Sequence, residues 1–259
     1  QNKVSDILKS KSLDALLISK KQNISYLTGC RGDDAILFIS ARENCIITDA
    51  RYKEEYSRAI RNCAIKITKD ADAASCVKEI SAKTRSRRIG FEPDNFSYSG
   101  YAKLKHKLNN MLLIPVHSIV ESLRKIKDDK EIELIRKACI SGCKVMNYAI
   151  NNVRPSLSEI AVRNGIEKYI TKQSLGKAGF DIIVASGANA SMPHASASLR
   201  KIKNGEMVII DLGIINCGYN SDLTRTVFLG RINPKYRRIF NIVLDAKKKA
   251  IEIIKPGIP

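Results

Sequence analysis

The sequence predicts a mixed α/β (α+β) protein of two domains: an α/β layer over residues 1–118 and an α+β domain over residues 119–259. Three observations lead there. Short Ile/Leu/Val-rich segments alternate with amphipathic ones through the first half, the pattern of layered α/β domains. Near Ile119 this gives way to a long helical periodicity and then to a β-rich run, Phe180–Leu229. The 259 residues are 44% hydrophobic and 27% charged, enough apolar surface to exclude a disordered chain and a length that suits one large domain or two.

Taken in order, Ala15–Ser19, Ala35–Ser40, Cys45–Thr48, Ile65–Thr68, Ile89–Phe91 and Leu112–Val116 read as strands, being short and rich in Ile, Leu and Val. Between them, Tyr52–Ile60, Ala71–Thr84 and Tyr98–Asn109 read as helices; Ala74, Val77 and Ile80 give the second a single apolar face. A long helix opens at Asp128-Asp129-Lys130-Glu131, with acids where the helix dipole favours them. Its stripe is Ile132, Ile135, Cys139, Gly142, Val145 (or Met146) and Ala149, and Pro155 ends it. Ser156-x-x-Glu159 reads as a capping box for a further helix to about Gln173. A last amphipathic helix runs from Asn233-Pro234 to Lys255, where Pro256-Gly257 stops it.

The formal charge of +19 divides as +8 over residues 1–118 and +11 over 119–259. An excess spread so evenly, with short basic runs that lack interleaved aromatics, reads as a solvated surface and not as a specific nucleic-acid site. No apolar run approaches the ~20 residues of a membrane span. The chain opens on Gln1 without a Met or an apolar signal core, so it is expected to be trimmed there and to be soluble and cytoplasmic. The seven cysteines, 30, 45, 63, 76, 139, 143 and 217, form no CxxC and lie near no histidine pair. They read as buried, reduced thiols and not as a zinc site.

The informative segment is Met207–Gly230, MVIIDLGIINCGYNSDLTRTVFLG. It reads as a β-hairpin turning around Asn216-Cys217-Gly218. A loop centred between residues 216 and 217 pairs positions whose numbers sum to 433, which sets Asp211 opposite Asp222 with Cβ atoms ~4.5–5.5 Å apart. Two carboxylates so placed share a proton, hold a divalent cation between them, or diverge, one to solvent and one to cap a turn. Upstream, Phe180–His194 is a strand running into a Gly/Asn/Ser-rich loop that ends at Pro193-His194. A histidine there is placed to polarise a carbonyl or donate to an oxyanion.

Pro193-His194, Arg200, Asn204-Gly205-Glu206-Met207-Val208, Asp211-Leu212-Gly213 and Gly218-Tyr219-x-Ser221-Asp222-x-Thr224-Arg225-Thr226 occur in that order. Together they resemble the signature of the pita-bread metallopeptidases: Xaa-Pro aminopeptidase (aminopeptidase P), prolidase and the creatinase-like relatives. Ile126–Ala138 is similar to that family's entry into its catalytic domain, and residues 1–118, with Ile24–Gly29, to its N-terminal creatinase/prolidase domain. The resemblance implies two divalent metal ions (Mn, Co or Zn), Asp211 holding one through both oxygens and Asp222 bridging the pair. It also implies that His194 contacts the substrate or the tetrahedral intermediate, with Thr224 either supporting the metal ligands or serving as a plain strand residue. The substrate implied is a peptide with proline at the second position, and the assembly a homodimer. A further His and two Glu are implied beyond Asp222, yet the 37 residues after it hold no His and only Asp245 and Glu252 as acids. The expectation is therefore the first half of a pita-bread domain, from a truncated, cleaved or split protein, inactive alone. The alternative is a non-catalytic pita-bread module that binds an acidic or protein partner; intact Asp211, Asp222 and His194 weigh against it.

Overall fold

The structure is a computed structural model and describes residues 2–30, 34–61, 63–68 and 72–258. The chain forms two compact units, Gln1–Lys127 and Asp128–Pro259.

The first unit contains α1 (Asn2–Ser10), β1 (Ala15–Ile18), α2 (Lys21–Thr28), β2 (Ala35–Ser40), β3 (Asn44–Thr48), α3 (Lys53–Ala59), β4 (Ala64–Ile67), α4 (Ala73–Thr84), β5 (Arg88–Phe91), α5 (Tyr98–Lys107), β6 (Leu112–Pro115) and α6 (Ile119–Lys125). The strands form one sheet in the order β4-β3-β2-β1-β5-β6. β2 runs antiparallel to both neighbours, and the remaining pairs are parallel. Both faces are covered, which is why β1 is buried at every residue. On one face Leu16, Ile18, Leu37 and Ile46 pack with Val4, Leu8, Ile24 and Tyr56. On the other, Leu17, Phe38, Ile47 and Ile89 pack with Val77 and Ile80 of α4 and Leu104 and Leu108 of α5.

All six expected strands form, within a residue or so at each end. The start of the expected helix 71–84 lies outside the described residues at Ala71, and the described part begins at Ala73. The sequence sets the domain boundary near residue 119, at the start of α6. Its Ile119 and Val120 instead join the core of the first unit, so the division falls past Lys127.

Polar groups fasten α2 and α6 in this unit. Glu92, just past β5, accepts the Ser19 and Lys20 N–H groups at 2.7 and 2.8 Å. Asn23, fully buried, donates to Glu92 at 2.6 Å and to Glu121 at 2.9 Å, and accepts from Arg124 at 2.8 Å. Lys20 pairs with Glu121 at 2.8 Å.

The second unit contains α7 (Asp129–Asn152), α8 (Glu159–Lys172), β7 (Lys177–Ala178), β8 (Ile183–Ser186), β9 (Met207–Leu212), β10 (Ile214–Asn216), β11 (Tyr219–Asn220), β12 (Leu223–Phe228) and α9 (Pro234–Ile253). Asp128 caps α7 in a reciprocal box with Glu131, and Asn233 with Pro234 starts α9. Two three-stranded sheets, β12-β9-β8 and β11-β10-β7, are bridged by the chain of the hairpin. Val208, Ile210 and Leu212 face a core made with Val145, Met146 and Ala149 of α7 and Val162 and Ile166 of α8. Helix α9 buries none of its described residues; Phe240 rests edge-on against Phe228 at 5.6 Å. No helix among the described residues is long and apolar enough to cross a membrane.

The cysteines depart from expectation. All seven are free, but only Cys30, Cys45 and Cys76 are buried; Cys139, Cys143 and Cys217 are exposed. The two on α7 lie off its packed stripe, and Cys217 is at a turn tip. Burial pushes the Cys45 thiol up to about 12 and Cys63 up to about 11, so neither forms a reactive thiolate near neutrality.

Desolvation pushes the Glu121 carboxyl up, but hydrogen bonds from Lys20 and Asn23 outweigh it and hold the group at about 2, against an ordinary 4.5. A depressed carboxyl contributes stability above its ordinary value and loses it as pH falls toward the folded value. In urea unfolding followed against pH, the stability gap between the parent chain and Glu121→Gln should therefore narrow from pH 4.5 down to 2. A gap constant over that window would show that the ionised form is not held.

Candidate metal centre

The candidate site is built on the ribbon Met207–Phe228. Its turn is Cys217-Gly218, with φ of 52° and 83°, so both central residues are left-handed, as a two-residue type I′ hairpin requires. Glycine takes this conformation freely; Cys217 takes it at some cost. The pairs are Asn216↔Tyr219, Leu212↔Leu223, Thr224↔Asp211 and Phe228↔Met207. Every pair sums to 435, so the turn is centred one residue later than the sequence suggested. The expected direct opposition of Asp211 and Asp222 is thus corrected. Thr224 faces Asp211, and the same register sets Asp222 opposite Gly213, a diagonal neighbour at about 7 Å between Cβ atoms. The head-on repulsion of an opposed pair is relieved.

The two carboxylates still share a side. Burial alternates along β9 with Val208, Ile210 and Leu212 inward, so Asp211 points away from the core. Asp222 and Thr224 are exposed while Ser221 between the strands is buried, which keeps both on the Asp211 side. Thr224 Oγ1 donates to Asp211 Oδ1 at 2.7 Å. That hydrogen bond orients the Asp211 carboxylate. Among the described residues neither Asp has an ion-pair partner, and no group of three or more His, Cys, Asp or Glu is placed to hold a metal. Two hard oxygen donors on one open side fit part of a divalent-cation site, Asp211 and Asp222 being the residues that would hold it.

The ribbon is braced from α7. Tyr219 Oη donates to Glu131 at 3.0 Å, and Asn216 donates to Ser141 and to the Leu175 carbonyl, each at 3.3 Å. Ser221 N–H bonds the Ile214 carbonyl at 2.9 Å, carrying the register through the bend between the two sheets.

His194 is exposed, on the loop that leaves β8 at Ser186. β8 pairs with β9, Ser186 beside Val208 and Ile183 beside Asp211, and the loop's 3-10 turn, Gly187–Ser191, lies against β9. Among the described residues His194 makes no hydrogen bond or ion pair with Asp211 or Asp222. The structure therefore unites the two Asp with Thr224 and puts His194 on an adjoining loop.

Glu159 is the residue that sequence reasoning misread. No capping box forms: the N-cap of α8 is Ser158, and Ser156 sits at φ 72°. Glu159 is fully buried and turns to the His194 loop, accepting from Ser186, Asn189 and Ser198. Burial pushes its carboxyl up, but the bonds from Ser198, Ser186 and Asn189 prevail and leave it below the usual range. Alongside, Arg200 forms a two-point ion pair with Glu206 and donates to Ser186 Oγ at 2.6 Å. A lone acid at a helix start carries no sequence signal for a distant partner; the serines and Asn of the loop were the available clue.

Residues 133–259 match the model of metallopeptidase family M24, and residues 1–126 match the creatinase/prolidase N-terminal domain. An uncharacterized peptidase, YqhT, of Bacillus subtilis (strain 168) is 33% identical over 246 residues, 95% of this chain and 69% of that protein. The chain belongs to the M24 metallopeptidase family. A Xaa-Pro dipeptidase of Pyrococcus horikoshii is 32% identical over 99% of this chain and 71% of that one. A solved Xaa-Pro dipeptidase from Bacillus anthracis superposes with a TM-score of 0.92 at 31% identity, covering 99% of this chain and 72% of that one. The M24 chain thus carries a creatinase-type domain followed by part of a pita-bread fold.

In this M24 chain, Gly213 sits where the ribbon leaves no room for a side chain. A Cβ there would lie well inside contact of the Ser221 carbonyl and 2.8 Å from the Phe180 ring. Gly213→Ala should destabilise the second unit by about 1–3 kcal/mol and speed amide exchange at residues 214 and 221, measured by urea unfolding and hydrogen exchange. Unchanged stability would mean that the close approach is not maintained.

Proposed function

We propose that this chain supplies one side of the active site of a metal-dependent Xaa-Pro peptidase, which cleaves the bond between an N-terminal residue and a following proline. The observation that carries the reading is the common open side of Asp211 and Asp222, with Asp211 steered by Thr224. Asp211 and Asp222 would together hold the divalent cations. When bound, cations of the Mn, Co or Zn type supply a water nucleophile at neutral pH and polarise the scissile carbonyl. His194 donates to the oxygen of that carbonyl as negative charge develops on it. The names of the relatives, Xaa-Pro dipeptidase among them, support the proline specificity. A homodimer in the cytoplasm completes the proposal.

Alone, the chain brings two carboxylates, fewer ligands than a tight transition-metal site uses. Other ligands would have to face the same side of the ribbon, and the 259-residue chain is expected to be inactive without them. Calorimetry with Mn²⁺ should accordingly show no tight binding to the chain. In a protein that also supplies the remaining ligands, Asp222→Asn should abolish Xaa-Pro hydrolysis and lower metal content. His194→Ala should keep the metal and reduce kcat ~10²–10³-fold. Full activity after metal removal, or tight Mn²⁺ binding indifferent to Asp222→Asn, would overturn the proposal.

A further inference from the structure

The loop from Gly187 to Ala197 that carries His194 has little structure of its own. Its backbone closes on itself through Met192 N–H to Asn189 O at 3.0 Å and Ala195 N–H to Met192 O at 3.2 Å. Ser191, Met192, Pro193, His194 and Ser196 are exposed, and of this stretch Ala195 is buried. Something outside the loop must set its path.

That something is a single carboxylate. Glu159 Oε1 accepts from Ser186 N–H at 2.7 Å, Ser186 Oγ at 2.8 Å and Asn189 Nδ2 at 3.1 Å. Its Oε2 accepts from Asn189 Nδ2 at 3.0 Å, Ser198 N–H at 3.1 Å and Ser198 Oγ at 2.6 Å. One oxygen therefore grips the residue where the loop leaves β8, the other the residue where it returns, and Asn189 spans both. A fully buried carboxylate is costly unless its lone pairs are filled, and here the loop fills them. The returning segment is also tied to α8, with Ile160 N–H on Ser198 O at 3.0 Å and Glu159 N–H on Arg200 O at 3.1 Å. The Ser186 hydroxyl, which donates to Glu159, accepts from Arg200, so the clamp is seated on the Arg200–Glu206 pair.

We propose that Glu159 is the positioning residue of the His194 loop: by holding Ser186, Asn189 and Ser198 at once it sets where the His194 imidazole stands beside the Asp211–Asp222 ribbon. The inference rests on the proposed role of His194 only for its consequence in catalysis; the clamp itself is a property of the chain in hand.

The test uses the 259-residue chain. Its histidines are three, His106, His117 and His194, so the His194 ring signal is assigned by comparison with His194→Gln. In Glu159→Ala the ring signal should move toward that of an unstructured peptide, and amides 187–198 should exchange about tenfold faster or more, while amides of α7 and of β9 keep their protection. Glu159→Gln divides the clamp. Its amide oxygen still accepts at the Ser186 end, but its NH2 group opposes the Ser198 N–H. Exchange should therefore rise at residues 195–198 and stay slow at Ser186. If Glu159→Ala fails to fold, the Gln variant and Ser198→Ala decide. A His194 signal and loop exchange unchanged in a folded variant would overturn the inference. A loosened loop, combined with normal Xaa-Pro hydrolysis by His194→Ala in a protein that also supplies the remaining ligands, would uphold the clamp and overturn only the catalytic role of His194.

Discussion

The register of the ribbon Met207–Phe228 governs everything else in the candidate site. Side chains alternate faces along a strand, so a slip of one residue would carry Asp211 into the core and Ile210 out of it. Two independent features prevent that slip. The Cys217-Gly218 turn, left-handed at both residues, admits one pairing for strands of this twist. The inward row Val208, Ile210 and Leu212, fully or almost fully buried against α7 and α8, makes the alternative pairing expose three large apolar side chains at ~1.5–3 kcal/mol each. An apolar pattern on one face thereby dictates the acidic pattern on the other, and two carboxylates are kept at an open surface on a rigid support.

Carboxylates with filled lone pairs recur as fasteners in both units, half-buried at Glu92 and fully buried at Glu159. Glu92 in the first takes two backbone N–H groups and the Asn23 amide; Glu159 in the second takes two backbone N–H groups, two hydroxyls and the Asn189 amide. In each case a charged group in a low-dielectric setting is compensated by dipoles and not by a directly bonded cation, which gives directional bonds to chosen points of the backbone. Such a device suits an M24 peptidase. Catalytic side chains borne on loops need a fixed scaffold behind them, and besides Glu159 the loop after β8 has two turns of its own, packing of Gly187–Ser191 against β9 and backbone bonds from α8 to Ser198 and Arg200.

Much of this was legible in the sequence, for physical reasons. The six strands of the first unit stood out because a sheet buried on both faces demands unbroken Ile, Leu and Val. Helix α7 announced itself through its acidic first turn, but its packed face runs through Ala138, Ser141, Gly142, Val145, Met146 and Ala149 and leaves the expected Ile132 and Cys139 exposed. Helices α1 and α2 went unread because their short apolar spacings are interrupted by Ser, Lys and Asn, and tertiary packing of Val4, Leu8 and Ile24 decides them. The ribbon was recognised but its centre was misplaced by one residue, since Cys217 gives no signal for a left-handed backbone where Asn or Gly would. Glu159 was misread because a Ser three residues before a Glu looks the same whether the carboxylate closes a cap or reaches across to Ser186 and Ser198. Local patterns identify elements; they do not reveal which distant group a side chain will meet.

The claim on which the account turns is that Asp211 and Asp222 act together on one side of the ribbon. Paramagnetic broadening by substoichiometric Mn²⁺ in the amide spectrum of the chain reads this directly, and detects even weak binding. The account predicts that signals of Asp211, Asp222 and Thr224 broaden first and together, and that Asp211→Asn or Asp222→Asn each removes the effect from all three. Broadening centred elsewhere, or persisting at one Asp after the other is replaced, would contradict it.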